Sequence, residues 1–422
     1  MCQQSVARLS KIIGCLAFLF ACPFMAQSTS AQSVEGFIEQ LEWRNIGPAN
    51  MSGRIDDFAV VESDPNIVFL ATASAGVWRT TNNGVTWEAV FDDQPVSSIG
   101  DIAVAPSDPS IVWVGSGESN NRQSSSWGNG VYKSTDGGDS WAHVGLEDTL
   151  HIGRIVIHPN DPEVAYVAAT GHLWGPNEAR GLYKTTDGGQ TWVNTLFIDE
   201  DTGFIDVVMD PVSPGTLYAA AYQRRRTAFG FNGGGPGSGI HKTTNGGATW
   251  VRLTNGLPDG ITGRIGLAIY RSDPRIVYAL VQNADGGVFR SEDRGKSWTR
   301  MSDTNPRPMY YSQIRVDPSN DQRIWAAGAR MFYSQDGGKT FVSDWVQTIH
   351  GDFHALWINP VDSDHMIAGS DGGVHYSYDR GRTWDFVDTM ALGQFYEVGY
   401  DMETPYNVYG GLQDDGSWGG PV

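Results

Sequence analysis

Short apolar runs of alternating character recur along the chain from about residue 51, and turn residues separate them. A typical unit opens with a glycine and an apolar alternation, as at Gly53-Arg54-Ile55 or Gly153-Arg154-Ile155. A turn such as Ser107-Asp108-Pro109 leads to a second run, Ile111 to Gly115, and a third run follows, as at Gly130 to Ser134. A polar turn and a fourth short strand complete the unit. Four strands in a period of about 45 residues predict an all-β protein built from repeated four-stranded antiparallel sheets.

The polar turn between the third and fourth strands has a fixed pattern of eight residues, called the octet below. It reads hydroxyl, any, Asp or Asn, any, Gly, any, hydroxyl, aromatic, as in Ser134 to Trp141. Seven copies occur, and their third residues are Asn82, Asp136, Asp187, Asn245, Asp293, Asp336 and Asp379. Asp or Asn beside glycine is typical of hairpin turns, because the short side chain bonds nearby N–H groups while glycine adopts positive φ. Since two copies carry uncharged Asn, we interpret this set as structural.

The octets resemble the Asp-box, or BNR, repeat of the β-propellers of sialidases, tandem-propeller xyloglucanases and sortilin-type receptors. The order of features resembles secreted bacterial proteins of the sortilin-like or BNR-repeat glycosyl-hydrolase type. This resemblance implies a β-propeller with its Asp boxes on the outer turns, away from the binding face. We therefore predict seven complete four-stranded blades over residues 51–391, with the octets between third and fourth strands.

The ends of the chain differ from this repeat. Residues 1–31 have the pattern of a signal peptide, in which Arg8 and Lys11 precede an apolar run and small residues follow. Residues 32–50 contain a strand-like segment at 42–47, which we expect to complete the last blade. Residues 392–422 read as the first half of a further blade, with no third strand and no octet. We therefore expect the sequence to be a truncated piece of a longer protein.

Composition narrows the function. The net charge of −19 argues against nucleic-acid binding, which needs a basic face. The three cysteines all lie in the signal segment, so disulfides are not expected in the mature chain. We expect export to the periplasm, the outer surface or the medium, and we favour this over a lipoprotein attached at Cys22. Beyond the first thirty residues no stretch is apolar enough to span a membrane. No cofactor is expected.

Two sets of residues are candidates for ligand binding. Blades two, three and four have long loops between their second and third strands, which gather on one face and are typical of functional sites. Their candidates are Trp127, His172, Trp174, Arg180 and Tyr222. The second set, Arg54, Arg154 and Arg264, follows the opening glycines and should line the channel near the same mouth. These arginines could hold an anionic group or form a salt-bridge ring with Asp101 and Asp352, and we favour the ring.

Catalytic chemistry is less clear in the sequence. A glycoside hydrolase needs two carboxyl groups, one of them with a raised pKa. The candidates are Asp101, Glu118 and Asp352, but no motif selects a pair, and the histidines are too scattered to indicate a metal site. We therefore predict an exported propeller whose loop-bearing face binds an extracellular glycan, peptide or protein. The alternative is a glycoside hydrolase acting on polysaccharide, xyloglucanase-like or sialidase-like, because fold alone does not decide between them.

Overall fold

The computed structural model describes residues 51–343 and 349–422, and within these residues the regular structure is β-strand apart from a 3-10 turn at Glu147–Thr149. The expected signal segment and the strand-like segment at 42–47 lie outside the described residues. No helix in residues 51–343 or 349–422 is long and apolar enough to cross a membrane.

In chain order, the strands begin with β1 at Met51–Ser52. The first sheet contains β2 (Ile55–Val60), β3 (Val68–Thr72), β4 (Val77–Thr80) and β5 (Glu88–Ala89). The second contains β6 (Ile99–Ala105), β7 (Asp108–Ser116), β8 (Val131–Ser134) and β9 (Ala142–His143). The third contains β10 (Ile152–His158), β11 (Asp161–Ala169), β12 (Gly181–Thr185) and β13 (Val193–Leu196).

The fourth sheet begins with β14 (Thr202–Met209) and β15 (Leu217–Gln223), is interrupted by a hairpin of β16 (Arg225–Thr227) and β17 (Gly230–Asn232), and ends with β18 (Gly239–Thr243) and β19 (Val251–Arg252). The fifth contains β20 (Ile265–Ile269), β21 (Val277–Val281), β22 (Gly287–Ser291) and β23 (Thr299–Ser302). The sixth contains β24 (Gln313–Asp317), β25 (Asn320–Ala327) and β26 (Met331–Ser334). The seventh contains β27 (Phe353–Ile358), β28 (Met366–Ser370), β29 (Gly373–Ser377) and β30 (Asp385–Phe386). Strand β31 (Ala391–Leu392) pairs with β1, and β32 (Phe395–Tyr400), β33 (Asn407–Leu412) and β34 (Ser417–Pro421) form a last sheet.

Each of the first seven sheets is an antiparallel meander, apart from the β16–β17 insertion in the fourth. The sixth has three strands in the described residues, and its fourth position is held by a bridge between Tyr333 and Val342, whose backbones exchange two hydrogen bonds of 3.0 and 2.8 Å. The predicted repeat of four strands is therefore found along the chain, with a bridge in the fourth position of the sixth sheet.

Seven sheets close into a ring around a central channel. The first strands β2, β6, β10, β14, β20, β24 and β27 pack in sequence, and β27 then packs against β2. The closing contact is apolar, because Ile55 and Phe58 of the first sheet share a buried cluster with Ala355 and Ile367 of the seventh. A Cβ on Gly369 would lie 2.6 Å from the Ile55 side chain, so glycine is required for this close approach. The predicted all-β propeller with seven blades is confirmed.

The octets form identical turns around the outside of the ring. In blade two, Asp136 accepts hydrogen bonds from the Ser134 hydroxyl at 2.7 Å and from the Ser140 N–H at 2.9 Å. The two Asn copies make the same contacts, as shown by Asn82 and the N–H of Thr86 at 2.9 Å. Gly138 has a φ of +90°, and its N–H donates to Ser134 at 2.8 Å. Local hydrogen bonding thus explains the fixed spacing.

The closing aromatic of the octet joins neighbouring blades. Trp141 packs into the cluster between the first and second sheets, and its indole N–H donates to the Val90 carbonyl of the preceding blade at 2.7 Å. Trp192 does the same with Val144, also at 2.7 Å. One local motif therefore shapes a turn and also connects two sheets.

The last sheet lies outside this ring of buried strands. All six residues of β32 are exposed, whereas all six residues of the corresponding strand β2 are buried. The expectation of a repeat without a third strand is wrong, because β34 pairs antiparallel with β33 over Asn407 to Gly411. The residue pattern does not predict this strand, because Ser417–Pro421 is rich in glycine and lacks the apolar alternation of the other third strands.

Replacing Asp136 by alanine should lower the free energy of unfolding by about 1 kcal/mol, because it removes the hydrogen bonds that hold the octet. Replacement by asparagine should keep them, as Asn82 and Asn245 do. Hydrogen bonds from Ser140 and Ser134 lower the pKa of Asp136 to about 2. The stabilisation from ionised Asp136 is therefore present above about pH 4 and lost as pH falls towards 2, and the asparagine variant should lack this dependence. Urea unfolding at pH 7 and pH 3 measures both effects, and equal losses in the two variants at pH 7 would contradict this role.

Ending the chain at Gly393 should leave the ring folded, because the ring closes through the first and seventh sheets and not through the last sheet. We expect one cooperative transition with a melting temperature within about 4 °C of the full chain. Calorimetry of the two forms tests this expectation. Loss of the cooperative transition would show that residues 394–422 are needed to hold the ring.

Candidate functional site

One mouth of the channel is covered by the loop between β7 and β8. Glu118, Ser119, Asn120 and Asn121 of this loop are all buried, although they lie between two strands at the end of a sheet. We call residues 118–121 the plug. It crosses the ring, since the Asn121 amide donates to the Tyr222 hydroxyl at 2.7 Å in blade four.

The same amide donates to the Met309 carbonyl at 2.6 Å, in the connection between blades five and six. From blade four, the Arg224 guanidinium donates to the plug at the Ser119 carbonyl, at 2.7 Å, and at the Asn121 side-chain oxygen, at 2.8 Å. The plug is therefore held by blades on several sides of the channel.

Arg54 is the centre of an ion-pair cluster beside the plug. Its guanidinium contacts the Glu118 carboxylate and the Tyr310 hydroxyl, and its Nε lies 3.1 Å from Asp371. His354 Nε2 lies 2.8 Å from the same Asp371 carboxylate. Although burial opposes it, the charges of His354 and Arg54 hold the pKa of Asp371 well below its ordinary value. Arg54 is therefore a neutralised structural group and is not free to bind a ligand.

Asp56 lies under the plug, and no cation lies within 4.0 Å of its carboxyl group among the described residues. Its Oδ1 is 3.4 Å from the Asn120 amide nitrogen, and its buried Oδ2 has no hydrogen-bond partner in this part of the chain. Burial, followed by repulsion from Glu118, raises the pKa of Asp56 well above its ordinary value, against the attraction of Arg54. Folding therefore disfavours the ionised form of this carboxyl group.

A second layer of charge lies deeper in the channel. Arg154 contacts Asp57, lies 2.8 Å from Asp101 and lies 3.4 Å from Asp206. Burial, opposed by Arg154, raises the pKa of Asp101. At Asp57 burial is outweighed by Arg154 together with the hydrogen bond to Asp101 and the charge of Arg315, so its pKa is lowered. A small polar cavity of about 20 Å³ between the two layers is large enough for one water molecule.

The predicted arginines therefore do not form one ring. The carbonyls of Arg54, His151 and Arg264 accept equivalent backbone hydrogen bonds of 3.0–3.2 Å, so these three residues occupy the same level. Arg154 lies beyond a register shift between Ile152 and Arg154, and its side chain joins the deeper layer. The opening glycines look equivalent in the sequence, but Gly153 is the extra residue of a bulge whereas Gly53 precedes the strand.

The salt-bridge alternative is seen in part. Arg54 and Arg154 pair with carboxylates, and Asp101 belongs to the deeper layer. Asp352 pairs with none of the three arginines, because its carboxylate accepts a hydrogen bond from the Tyr311 hydroxyl. Arg264 has no carboxylate partner among the described residues and donates to the Asn120 side chain at 3.1 Å and the Tyr310 carbonyl at 2.6 Å.

The loop candidates divide into accessible and buried groups. Trp127 is 69% exposed and Trp174 is 48% exposed, in the loops of blades two and three. His172 is half-buried beside Trp174. Arg180 and Tyr222 are fully buried, so they support the loops from within. The accessible aromatic residues are therefore the two tryptophans.

The catalytic candidates are engaged elsewhere. Glu118 is paired with Arg54, Asp101 is in the deeper layer, and Asp352 is bonded to Tyr311. The residues that sequence reasoning missed at this mouth are Asp371, His354, Tyr310, Arg224 and Asp415. None of them stands in a local motif, because contacts between distant blades bring them together. Within residues 51–343 and 349–422, no group of three or more His, Cys, Asp or Glu side chains is placed to hold a metal ion.

Asp415 differs from the other carboxyl groups at this mouth. It follows β33 and is half-buried, and its buried Oδ2 has no hydrogen-bond partner within residues 51–343 and 349–422. Burial is the main cause that raises its pKa to about 6, with contributions from Asp414 and Asp371 and against the attraction of His350. The preceding Gln413 anchors the turn, since its amide lies 3.3 Å from Asp371 and its oxygen accepts from Arg122 at 2.7 Å. The last sheet thus contributes a titratable group to the mouth.

The other end of the channel has a different character. It opens into a cleft of about 490 Å³ whose walls are mainly apolar, with Phe58, Leu267 and Trp357 among them. Arg154 and Arg315 also line this cleft. The exposed Trp127 and Trp174 belong to the plugged mouth.

Comparison with known proteins places this arrangement among propellers. No family model matches the chain. It is 25% identical over 399 residues to a xyloglucanase of Paenibacillus sp, which covers 83% of this chain and 36% of that protein. The structure of the GH74 xyloglucanase from Xanthomonas campestris matches with a TM-score of 0.65 at 17% identity, over 89% of this chain and 60% of that chain. The structure of YCF48 bound to the D1 peptide matches with a TM-score of 0.54 at 17% identity, over 80% of this chain and 98% of that chain.

These similarities establish the β-propeller fold. The chain spans 36% of the length of the Paenibacillus relative, so the comparison concerns one part of that protein. The relatives named xyloglucanases are glycoside hydrolases, which is the enzyme class that the sequence predicts for any catalytic activity.

Replacing Asp56 by asparagine should remove a pH-dependent loss of stability. The folded-state pKa of Asp56 is raised above its value of about 3.9 in an unfolded chain. Between these two values the folded state binds more protons, so the stability of the wild type falls as pH rises through this window. The asparagine variant should show a flatter profile in urea unfolding between pH 4 and pH 9.

Asp371→Asn is the matched control, because the pKa of Asp371 is shifted the other way. It should destabilise the protein at neutral pH by roughly 3 kcal/mol, since it leaves Arg54 and His354 buried without their carboxylate. Identical pH profiles for wild type and Asp56→Asn would show that Asp56 is ionised in the fold.

Proposed function

We propose that this chain is a polysaccharide-binding propeller of a glycoside-hydrolase type of protein that acts outside the cytoplasm. The observation that carries the proposal is the pair of exposed tryptophans, Trp127 and Trp174, beside the plugged mouth of a rigid ring. Aromatic faces stack on sugar rings and lose little conformational entropy on binding. The xyloglucanase relatives favour a polysaccharide over other ligands. The export pattern of residues 1–31 supports action outside the cytoplasm.

The loops that carry the tryptophans are held firmly, which favours binding without a large ordering cost. Arg180 fixes the loop of Trp174 by donating to the carbonyls of Thr170 and His172 at 2.5 and 2.6 Å. Trp174 also forms a backbone bridge with Arg226 of blade four. A ligand at this mouth therefore meets a preformed surface.

For the hydrolytic step we propose Asp415 as the general acid. A general acid needs a pKa near the working pH, and Asp415 has a pKa of about 6 beside an ionised Asp371. Two carboxyl groups whose pKa values are pushed apart are the usual arrangement of glycoside hydrolases. Asp371 would then act through its charge, because Arg54 and His354 already occupy it.

A second candidate function is recognition of a peptide, as in a sortilin-like scaffold. The YCF48 structure, which is described as bound to the D1 peptide, is matched over 98% of its length by this chain. An exposed aromatic rim around a fixed polar centre also suits peptide side chains. Peptide binding and sugar binding at this mouth predict different ligands for the same tryptophans.

Binding and hydrolysis of xyloglucan and other plant polysaccharides by the full chain test the proposal. Trp174→Ala and Trp127→Ala should each weaken polysaccharide binding by about tenfold, because each removes a stacking surface. Phe386→Ala is the control, since Phe386 is exposed on the outer strand of blade seven. Calorimetry or affinity electrophoresis measures the change.

Asp415→Asn should abolish hydrolysis and leave binding within about twofold of the wild type. Binding that survives without any hydrolysis by the wild type would reject Asp415 as an acid and keep the binding function. Capture of peptides alone, with no affinity for any polysaccharide, would favour the second candidate.

A further inference from the structure

Buried arginines without carboxylate partners surround the plug. Arg224 is fully buried, and its guanidinium donates to the plug and to the Thr170 hydroxyl at 2.8 Å. Arg180 is also fully buried and donates to backbone carbonyls. Arg264 completes this layer with the two neutral acceptors described above. None of the three has a carboxylate within 4.0 Å among the described residues, so their positive charges are not cancelled by an ion pair.

The pKa values of the buried arginines Arg224 and Arg180 are lowered. Burial, followed by the charge of Arg180, lowers the pKa of Arg224 to about 9. Burial is likewise the main cause that lowers the pKa of Arg180 to about 10. Groups of one sign that are held in a region of low dielectric produce a strong potential at the adjoining surface.

Three further arginines carry this positive charge to the surface of the mouth. Arg307 is exposed, and its guanidinium stacks over the rings of Tyr310 and Tyr311 at 5.1 and 5.9 Å. Arg122 is half-buried and donates to Gln413, and Arg226 is half-buried and donates to the Asn121 carbonyl at 2.6 Å. Within the described part of the chain, no carboxylate lies within 4.0 Å of these three guanidinium groups.

Several arginines elsewhere have carboxylate partners. Arg79 pairs with Glu88 and Asp139, and Arg271, which lines the cleft at the other end of the channel, pairs with Glu62. A protein with a net charge of −19 has carboxylates available for such pairs over most of its surface. The guanidinium groups at the mouth that have no carboxylate partner among the described residues therefore place positive charge on a chain whose net charge is negative.

We propose that the plugged mouth binds a polysaccharide that carries anionic groups, either carboxylates or sulfate esters, with Arg307, Arg122 and Arg226 contacting the anion. This inference rests on the proposed function and names the class of its ligand. Arginine suits the role because its planar fork donates two parallel hydrogen bonds to an oxyanion. Trp127 and Trp174 would stack on neighbouring sugar rings of the same polymer, which separates this ligand from a free anion.

The test compares polymers that differ only in charge. Polygalacturonate and its methyl ester form one pair, and a sulfated galactan and the same galactan after desulfation form the other. We expect the full chain to bind at least one charged polymer about tenfold more tightly than its neutral counterpart. This preference should be lost as NaCl rises from about 0.05 to 0.5 M, because the Debye length falls to below about 5 Å at the higher concentration. The pair that shows the difference identifies carboxylate or sulfate as the group that is recognised.

Arg307→Gln should weaken binding of the charged polymer by about tenfold and leave the neutral polymer unchanged. Arg294→Gln is the matched control, because Arg294 is also exposed with a left-handed backbone (φ +62°, compared with +48° for Arg307) but lies in the octet of blade five. Equal melting temperatures of the two variants show that both fold.

The outcomes separate the two proposals. Equal binding of charged and neutral polymers, unaffected by Arg307→Gln, would overturn the anionic ligand and keep the polysaccharide function. Failure to bind any of the four polymers or xyloglucan would overturn both. Binding of polyglutamate as tightly as the charged polymer, with no effect of Trp174→Ala, would show that the mouth recognises acidic peptide and would also overturn this inference.

Discussion

The inner strands of the sheets pack against neighbouring sheets, as β2 and β3 show by their complete burial, and the closing contact between blades seven and one completes this packing. Ile55 and Phe58 meet Ala355 and Ile367 there, and Gly369 allows the two sheets to approach. Without this contact the first and seventh sheets would each expose an apolar face to water, which costs roughly 25 cal/mol of stability for each Å² of apolar surface. Ring closure also leaves the inner strands without free edges and defines the channel in which the charged groups lie.

Closing the ring brings charged side chains together inside the channel. The first strands converge, so polar side chains at their beginnings come together where little water is present. Arg54 and Arg154 are compatible with this setting because each is surrounded by carboxylates, whereas burial and the charge of Glu118 raise the pKa of Asp56. The plug covers the mouth, where its Glu118 side chain pairs with Arg54 and its Asn120 side chain contacts Asp56 and Arg264. The mouth is therefore rigid and polar at its centre.

Function follows from what this rigid centre leaves exposed. Trp127 and Trp174 are exposed, and Arg307 lies over a pair of tyrosines with no carboxylate within 4.0 Å among the described residues. Sugar stacking and anion recognition can therefore be combined on one preformed surface. The turn before β34 adds Asp415 with its raised pKa, which connects the binding surface to proposed acid catalysis. The xyloglucanase relatives bear only on the polysaccharide part of this proposal, and the chain spans 36% of the Paenibacillus relative.

The amino-acid sequence by itself determines the repeat. The octets and the alternation of the strands act over a few residues, so the seven blades can be predicted from local hydrogen bonding and periodicity. The tertiary structure alone decides which charges meet. Gly53 and Gly153 look alike in the sequence, but a bulge separates Arg54 from Arg154 by one layer of the channel. The pairings that define the mouth join residues far apart, such as Arg54 with Tyr310 and Asn121 with Met309, and only the packing of whole blades sets such distances. For the same reason β34 is recognised by its pairing with β33 and not by its composition.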